Sequence, residues 1–243
     1  GLSYVFNFKA VTARKNAVVE QLRGGVEGLL GHKNITLVRG KASFKDAHTI
    51  TVTPAVMSSE LPAVMSSEHP AVMSSEVETS LQEYTADYII IATGSVSASL
   101  PVPGADLPGI LTSREILDIE EVPRRLCVIG GGVIGLEFAS IFRSFGSEVT
   151  VVEYCKDILP RFDTDLAKRL KQSLGKKGIE INTQAQVTSI SENDGGYSVS
   201  FTRKGKEETV EADKILMAVG RKANVDSLNL ADVGIEFTPR GIV

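Results

Sequence analysis

The sequence predicts an α/β protein in two parts, and three observations support this prediction. First, apolar strands and amphipathic helices alternate along residues 123–221, which is typical of a parallel sheet covered by helices. Second, residues 9–31 carry an amphipathic helical pattern that is followed by short β-rich runs. The order of helices and strands before residue 123 therefore differs from the order after it. Third, 42% hydrophobic and 23% charged residues are ordinary values for a globular protein.

The composition argues against several classes of function. The 243 residues carry 26 Lys and Arg against 30 Asp and Glu, and a net charge of -4 argues against nucleic-acid binding. No run of about 18 apolar residues and no signal-peptide pattern occurs, which argues against a membrane protein. Two cysteines and three widely separated histidines argue against a disulfide scaffold and a metal site. We therefore expect a cytoplasmic protein.

The first 121 residues are predicted to contain one long helix and several strands. Residues 9–31 place apolar side chains at helical spacing, although Gly24 and Gly25 weaken this helix. A short helix is predicted near Arg114–Ile119. Four short runs that favour extended structure are predicted to be strands: Ile35–Arg39, Ala42–Phe44, Thr49–Thr53 and Tyr84–Ala92.

An eight-residue repeat occurs three times in residues 54–77, and three of the chain's four methionines lie in it. A proline in every copy prevents a regular helix or a central strand. Solenoid repeats have longer periods of about 20 residues or more. We therefore expect an exposed, poorly ordered insertion. An interaction segment and an artefact of sequence assembly are the alternatives.

From Pro123 onward the elements follow a regular order. Strands and helices alternate in the predicted ranges Arg125–Ile129, Gly132–Phe145, Glu148–Glu153, Asp163–Lys177 and Gly178–Thr183. An antiparallel meander and a last buried strand then follow in the ranges Val187–Ile190, Tyr197–Phe201, Glu207–Val210 and Lys214–Val219. This order predicts a compact α/β domain.

A glycine-rich turn between the first strand and helix of this domain carries the chemistry. Gly130 makes the tight turn, Gly132 leaves room for a pyrophosphate against the backbone, and Gly135 lets the helix pack close to the strand. The N-terminus of the helix offers free N–H groups to the phosphates. A glycine-rich turn without a ligand is the alternative.

Glu153 ends the second strand of the domain, 18 residues after Gly135, near the spacing expected for an acid that binds the adenosine ribose. Its carboxylate can accept hydrogen bonds from both ribose hydroxyls, and it would repel a 2′-phosphate. No arginine lies beside it. The pattern therefore favours NAD over NADP.

The same residues carry a resemblance to a known family. The stretches GGGVIGLEFAS and FGSEVTVVE resemble the NAD domain of the dihydrolipoamide dehydrogenases, in the flavoprotein pyridine nucleotide-disulfide oxidoreductase family, and AVGR, VGIE, NAVVEQLRGGVEGLL and IATGS agree with it. These segments occupy residues 130–140, 145–153, 218–221, 233–236, 16–30 and 91–95. The resemblance implies a Rossmann-like NAD-binding domain at 122–235. It further implies an incomplete FAD-binding domain at 1–121, with the repeat inserted in it, to which residues 236–243 begin to return.

The resemblance also implies site residues for two cofactors. For NAD, Glu153 would bind the adenosine ribose, Val187 would contact the adenine end and Gly220 the nicotinamide end. The pyrophosphate would be held by Gly130, Gly131, Gly132, Val133, Ile134 and Gly135. For FAD, the contacts would be made by Gly40, Thr93, Gly94 and Ser95. Glu137 would face the flavin region, where the family pairs it with a lysine.

The implied reaction passes electrons from a dithiol through an enzyme disulfide to FAD and then, as a hydride, to NAD. Family members form homodimers and serve 2-oxo acid dehydrogenase complexes. The chain departs from the family because it starts after the FAD fingerprint, ends before a catalytic His-Glu pair, and has only Cys127 and Cys155. Neither cysteine is expected to be a redox residue, no catalytic residue is assigned, and we expect the isolated chain to be inactive and to retain flavin poorly.

Two alternatives remain open at the level of the sequence. One is a related reductase with another acceptor, such as a mercuric reductase, a glutathione reductase or an NADH oxidase. The other is a non-catalytic NAD-binding or interaction protein that uses the repeat as its partner segment.

Overall fold

A computed structural model of the chain describes residues 7–54, 81–238 and 240–243. The chain divides into two compact units, and each is described by itself. The first unit comprises Gly1–Arg23 and Val96–Arg221, and the second comprises Gly24–Ser95 and Lys222–Val243. The predicted insertion lies outside the described residues, except for Pro54. The predicted division into FAD-type and NAD-type domains stays a prediction.

Helix α1 spans Phe8–Leu30, within one residue of the predicted bounds at each end. The side chain of Asn7 accepts the N–H of Ala10 at 3.1 Å, which satisfies one free donor of the first turn. In the first unit the ring of Phe8 packs edge-on against Phe145, with ring centres 5.4 Å apart. No residue of the helix is buried, so its apolar stripe is exposed.

The second unit contains a three-stranded antiparallel sheet in the order β1-β2-β3. Its strands are β1 Gly40–Phe44, β2 Thr49–Pro54 and β3 Gln82–Thr85. Phe44 is opposite Ile50 in the register. The small core of this unit contains Phe44, Val225, Leu228 and Leu230.

Two predicted strands of the second unit are wrong. Residues 35–39 form no strand, and the strand that starts at Gln82 ends at Thr85 rather than Ala92. A strand requires a ladder of hydrogen bonds to a neighbour, and among the described residues neither segment belongs to a ladder. Beyond Thr85, the N–H of Ala86 donates to the carbonyl oxygen of His48 at 2.9 Å, and the ladder goes no further. Ile89 and Ile91 pack against the small core, whereas the side chains of Tyr88 and Ile90 are 92% and 90% exposed, so the core covers only one side of this segment.

Two short strands, β4 Ser95–Ser97 and β13 Arg221–Ala223, contain the points where the chain passes between the units.

The first unit contains a five-stranded parallel sheet in the order β5-β12-β6-β7-β8. Its strands are β5 Ile110–Leu111, β6 Arg125–Ile129, β7 Glu148–Glu153, β8 Ile179–Thr183 and β12 Lys214–Met217.

Two helices and a meander cover this sheet. The helices are α2 Val133–Ser144 and α3 Thr164–Lys176, and a three-residue 3₁₀ helix, Glu115–Leu117, stands where a short helix is predicted. The meander comprises β9 Ala185–Asn193, β10 Gly196–Arg203 and β11 Lys206–Ala212. The predicted order of elements from β6 to β12 is therefore confirmed.

Alternation along β6 divides the core of the first unit between two faces. Leu126 and Val128 belong to a cluster with residues of α2 and α3, whereas Cys127 and Ile129 belong to a cluster with residues of the meander. Both faces of the parallel sheet are therefore buried, as its nearly continuous apolar strands require. The mixed α/β architecture with a parallel sheet agrees with the predicted fold class.

The chain ends in the second unit with a 3₁₀ helix, Ala231–Val233, and the short strands β14 Phe237–Thr238 and β15 Gly241–Ile242. Among the described residues, no helix has the length and apolar character needed to cross a membrane.

Candidate functional site

The glycine-rich turn connects β6 to α2 at the carboxyl edge of the parallel sheet. Gly130 has φ +113°, and a β-carbon there would lie 2.4 Å from the carbonyl oxygen of Ala218. A β-carbon on Gly135 would lie 2.2 Å from the carbonyl oxygen of Gly130. Both glycines are therefore required by the close approach of backbone atoms, as the sequence predicts for the turn and for helix packing.

Gly132 differs from these two glycines, because the protein itself leaves the space beside it open. Its φ of -78° suits any residue, and no atom lies within 4 Å of a β-carbon placed there. It is also the N-cap of α2 and has no side chain to accept the free N–H groups of the first turn. These donors and the positive end of the helix dipole suit a phosphate group.

A pocket of about 190 Å³ opens in front of this helix end. Its lining residues all belong to the first unit: Ser97, Ser113, Gly132, Val133, Ile134, Met217, Ala218, Gly220 and Arg221. The sequence predicts Gly132, Val133, Ile134 and Gly220 as site residues, and the structure brings these four together.

Sequence reasoning assigned no site role to the other five lining residues, which are Ser97, Ser113, Met217, Ala218 and Arg221. Met217 is the last residue of β12, and Ser113 lies two residues after β5. The carboxyl ends of neighbouring parallel strands meet at one edge of the sheet, which would have pointed to Met217. Strand β5 has only two residues, too few to be recognised from a sequence pattern.

Glu153 lies at the end of β7, next to the turn. Its side chain is buried, with 7% exposure. One carboxylate oxygen accepts the N–H of Gly131, and the other accepts the N–H of Cys155 at 2.6 Å. A carboxylate has about four acceptor positions, so these two bonds do not use its full capacity for donors.

Val187 and Gly220, which are also predicted to contact NAD, differ in how far they are buried. Val187 is buried in the cluster between β9–β11 and the parallel sheet. Gly220 has φ +127° and no atom within 4 Å of a β-carbon, so its backbone faces open space beside the pocket. Contacts of these residues with a dinucleotide stay predictions.

None of the residues predicted to contact FAD is among the lining residues of this pocket. A β-carbon on Gly40 would lie 2.4 Å from the carbonyl oxygen of Thr53, so the β1–β2 pairing already explains this glycine. The carbonyl oxygens of Thr93 and Gly94 accept hydrogen bonds from Asn224, from its side chain and its backbone N–H respectively. Ser95 is the first residue of β4. These contacts account for local structure and leave FAD binding a prediction.

Glu137 is exposed on α2, and no ion pair to it occurs among residues 7–54, 81–238 and 240–243.

Cys127 is fully buried, as predicted, and burial raises the pKa of its thiol to about 12. Burial and the neighbouring carboxylate of Glu153 also raise the pKa of Cys155. Both cysteines are free thiols. No group of metal-ligating side chains occurs in the described parts of the chain.

The residues present fit the phosphates and ribose of a dinucleotide. The open space at Gly132 provides room beside free N–H groups, and Glu153 provides a fixed anion with spare acceptor positions. The second unit offers no comparable glycine-rich turn at a helix N-terminus within residues 24–54, 81–95, 222–238 and 240–243.

Comparison with known proteins places the chain in a family. Residues 3–243 match the pyridine nucleotide-disulphide oxidoreductase family. The chain belongs to this family. Members with curated names include dihydrolipoyl dehydrogenases from Staphylococcus aureus and Bacillus subtilis, each 37% identical over 99% and 98% of the chain and 46% of the relative. A dihydrolipoyl dehydrogenase from Acholeplasma laidlawii is 33% identical over 96% of the chain and 60% of the relative.

Solved structures agree with this family assignment. The HOCl-induced flavoprotein disulfide reductase RclA from Escherichia coli superimposes with a TM-score of 0.77 at 30% identity, covering 97% of the chain and 48% of that protein. Its Cu(II) complex gives a TM-score of 0.78 at 31% identity. The chain spans about half the length of most of the relatives it matches. The resemblance stated from the sequence is therefore confirmed at the level of the family.

Proposed function

We propose that the chain is the dinucleotide-binding central part of a dihydrolipoyl dehydrogenase-like flavoprotein, and that its own activity is to bind NAD at the turn between β6 and α2. The observation that carries this proposal is the open space beside Gly132, where the protein itself requires no glycine. Free N–H groups of the helix would bind the pyrophosphate, and Glu153 would bind the adenosine ribose.

In the whole protein, NAD would supply the hydride acceptor and FAD the link to a disulfide. The residues of this chain would bind and orient the dinucleotide and exclude water at the pocket. We extend the proposal to the FAD contacts predicted in residues 1–121. We also propose that the whole protein is a cytoplasmic homodimer and a component of 2-oxo acid dehydrogenase complexes. The supporting observation is the similarity to dihydrolipoyl dehydrogenases along 96–99% of the chain.

A second candidate is a related flavoprotein disulfide reductase that passes electrons to another acceptor. The structural similarity to the reductase RclA supports it. An activity screen with lipoamide, mercuric ion, oxidised glutathione and oxygen would separate the two candidates. The screen should use the protein encoded by the complete reading frame.

Substitution of Gly132 tests NAD binding directly. Calorimetric titration of the 243-residue chain should show NADH binding, and Gly132→Ala should weaken it by at least about tenfold, because a methyl group would occupy the phosphate position. The melting temperature without dinucleotide should fall only slightly, because Ala is a weaker N-cap than Gly but no protein atom lies within 4 Å of the added β-carbon. Gly175→Ala, at an equally open position in α3, is the matched control and should retain binding.

Absence of NADH binding by the unaltered chain would contradict the proposal. So would a Gly132→Ala variant that binds NADH with undiminished affinity.

A further inference from the structure

The pocket in front of α2 lies on the side of β6 away from Glu153. In the parallel sheet, β6 is flanked by β7, which ends at Glu153, and by β12, which ends at Met217. Strand β5 lies beyond β12, and Ser113 follows β5 by two residues. With the pyrophosphate at Gly132 and the adenosine ribose at Glu153, the other half of a dinucleotide would extend across β12 towards Ser113.

Two hydroxyl groups give this pocket hydrogen-bonding capacity. Ser97 and Ser113 are half-buried in its lining, and neither hydroxyl forms a hydrogen bond to another residue that the structure describes. Most of the other side chains in the lining are apolar, namely those of Val133, Ile134, Met217 and Ala218. Apolar walls with a few placed polar groups are typical of a site that binds a small molecule.

Hydrogen bonds on either side of Ser113 fix its backbone. The N–H of Thr112 donates to Oε2 of Glu115 at 2.8 Å, and the hydroxyl of Thr112 donates to the same oxygen. The hydroxyl oxygen of Thr112 accepts the N–H of Arg114 at 3.2 Å, and its carbonyl oxygen accepts the N–H of Ile116 at 3.1 Å. Ser113 therefore lies inside a closed turn.

The two ends of this turn are anchored in the first unit. Leu111 pairs with Leu216 in the ladder of β5 and β12, and Ile116 is 1% exposed in the cluster with residues of α2 and α3. The hydrogen bond from the hydroxyl of Thr112 lowers the pKa of Glu115 and outweighs the opposing effect of burial, so this carboxylate is ionised at neutral pH. The turn thus holds Ser113 at the pocket without using its hydroxyl, which reduces the entropy lost when that hydroxyl binds a ligand.

We propose that Ser113 binds the nicotinamide half of the dinucleotide through its hydroxyl, and that Glu115 is the positioning residue for Ser113. This inference rests on the proposed NAD binding. A serine hydroxyl both donates and accepts hydrogen bonds, as the ribose hydroxyls and the carboxamide of this half require. The carboxylate of Glu115 acts only through the turn, because its bonds are made to Thr112.

Calorimetric titration of the 243-residue chain with NADH and with ADP tests this inference. ADP has the adenosine and the pyrophosphate but lacks the nicotinamide half. Ser113→Ala should weaken NADH binding about fivefold, as expected for one hydrogen bond, and leave ADP binding unchanged. Gly132→Ala should weaken both ligands, because both have the pyrophosphate. Ser189→Ala, at a half-buried hydroxyl of β9 outside the pocket lining, is the matched control and should bind both ligands as the unaltered chain does.

Glu115→Ala tests the positioning role. It should also weaken NADH binding and leave ADP binding unchanged, because the turn loses the acceptor of two bonds from Thr112 while the phosphate site stays intact. In the double variant Ser113→Ala/Glu115→Ala the two losses should not add, since one acts through the other. Full additivity would overturn the positioning role of Glu115.

The unaltered chain separates this inference from the proposed function. If it does not bind NADH, the assigned NAD site is wrong. If it binds NADH and Ser113→Ala keeps the same affinity, or weakens NADH and ADP to the same extent, the NAD site stands and the role of Ser113 is overturned.

Discussion

Arg125 and Asp213 tie β6 to β12 at the edge of the sheet opposite the candidate site. The guanidinium Nη2 and Nε donate to Oδ1 of Asp213 at 2.7 and 2.9 Å, and the backbone N–H of Arg125 donates to Oδ2 at 2.9 Å. Nη2 also donates to the carbonyl oxygen of Gly195 in the meander, at 3.3 Å. Because Arg125 begins β6 and Asp213 precedes β12, this pair stabilises the sheet and lies away from the turn.

Asp213→Asn should make stability depend less on pH. Burial raises the pKa of Asp213, but the backbone N–H and guanidinium of Arg125 outweigh burial and hold the pKa below its usual value. The contribution is therefore full above the unfolded-state pKa of about 3.9 and is lost as pH falls through the folded-state pKa.

The expected loss from Asp213→Asn at pH 7 is about 1 kcal/mol, since the side chains of Arg125 and Asp213 are 32% and 29% exposed. Urea unfolding at several pH values from 7 to 3 should show the two proteins converging at the acidic end. A constant difference across this range would contradict the role of the ionised pair. Asp232→Asn, an exposed change in a separate 3₁₀ helix, is the control.

Helix α3 shows how sequence signals set the ends of an element. The side chain of Asp163 accepts the N–H groups of Asp165 and Leu166 at 2.9 and 3.1 Å, so the helix begins after it. Gly178, with φ +83°, follows the last turn. The guanidinium of Arg143 donates to the carbonyl oxygen of Lys177 at 2.7 Å and satisfies an acceptor at this end.

Asp163→Ala should destabilise the first unit by about 1 kcal/mol, because two N–H groups lose their acceptor. Chemical denaturation followed by circular dichroism measures this loss. Asp165→Ala is the matched control. The side chain of Asp165 forms an exposed ion pair with Lys168 at 3.7 Å, and its loss should cost less. Equal losses from the two variants would show that general charge, rather than capping, stabilises this end of the helix.

The two units differ in how much apolar surface each buries. The first unit has two clusters of buried side chains, one on each face of its parallel sheet, whereas the second has four buried residues in its cluster. The second unit also exposes Tyr88 and Ile90 almost completely. Burial of apolar area supplies most of the stabilising free energy, so we expect the second unit to be less stable.

Hydrogen exchange with mass spectrometry should therefore show two classes of protection. Peptides from β6, β7 and β12 should exchange at least about tenfold more slowly than peptides from β1, β2 and β3. Excess NADH should slow exchange further around residues 130–135 and 153–159, because a ligand that binds only the folded state stabilises it. Uniform protection of both units would contradict the expected difference in stability.

The sequence by itself determined much of the first unit. The strand bounds of β6 and β7 are as predicted, because apolar runs bounded by a glycine turn have few alternative structures. Local signals also set α3, and the turn at Lys204 and Gly205 joins β10 to β11 with both residues at positive φ. The glycine-rich turn and Glu153 belong to the same class of local pattern.

Only the tertiary structure decided which segments have partners. The apolar segments 35–39 and 86–92 have strand-like composition, yet they form no strand, because a ladder depends on a distant neighbour. The positions of Ser97, Ser113 and Met217 in the pocket lining depend on distant residues in the same way. So does the contact of residues 153–159 with Gly131. A sequence pattern reports local conformation and burial, whereas these contacts join residues that are brought together only when the parallel strands align.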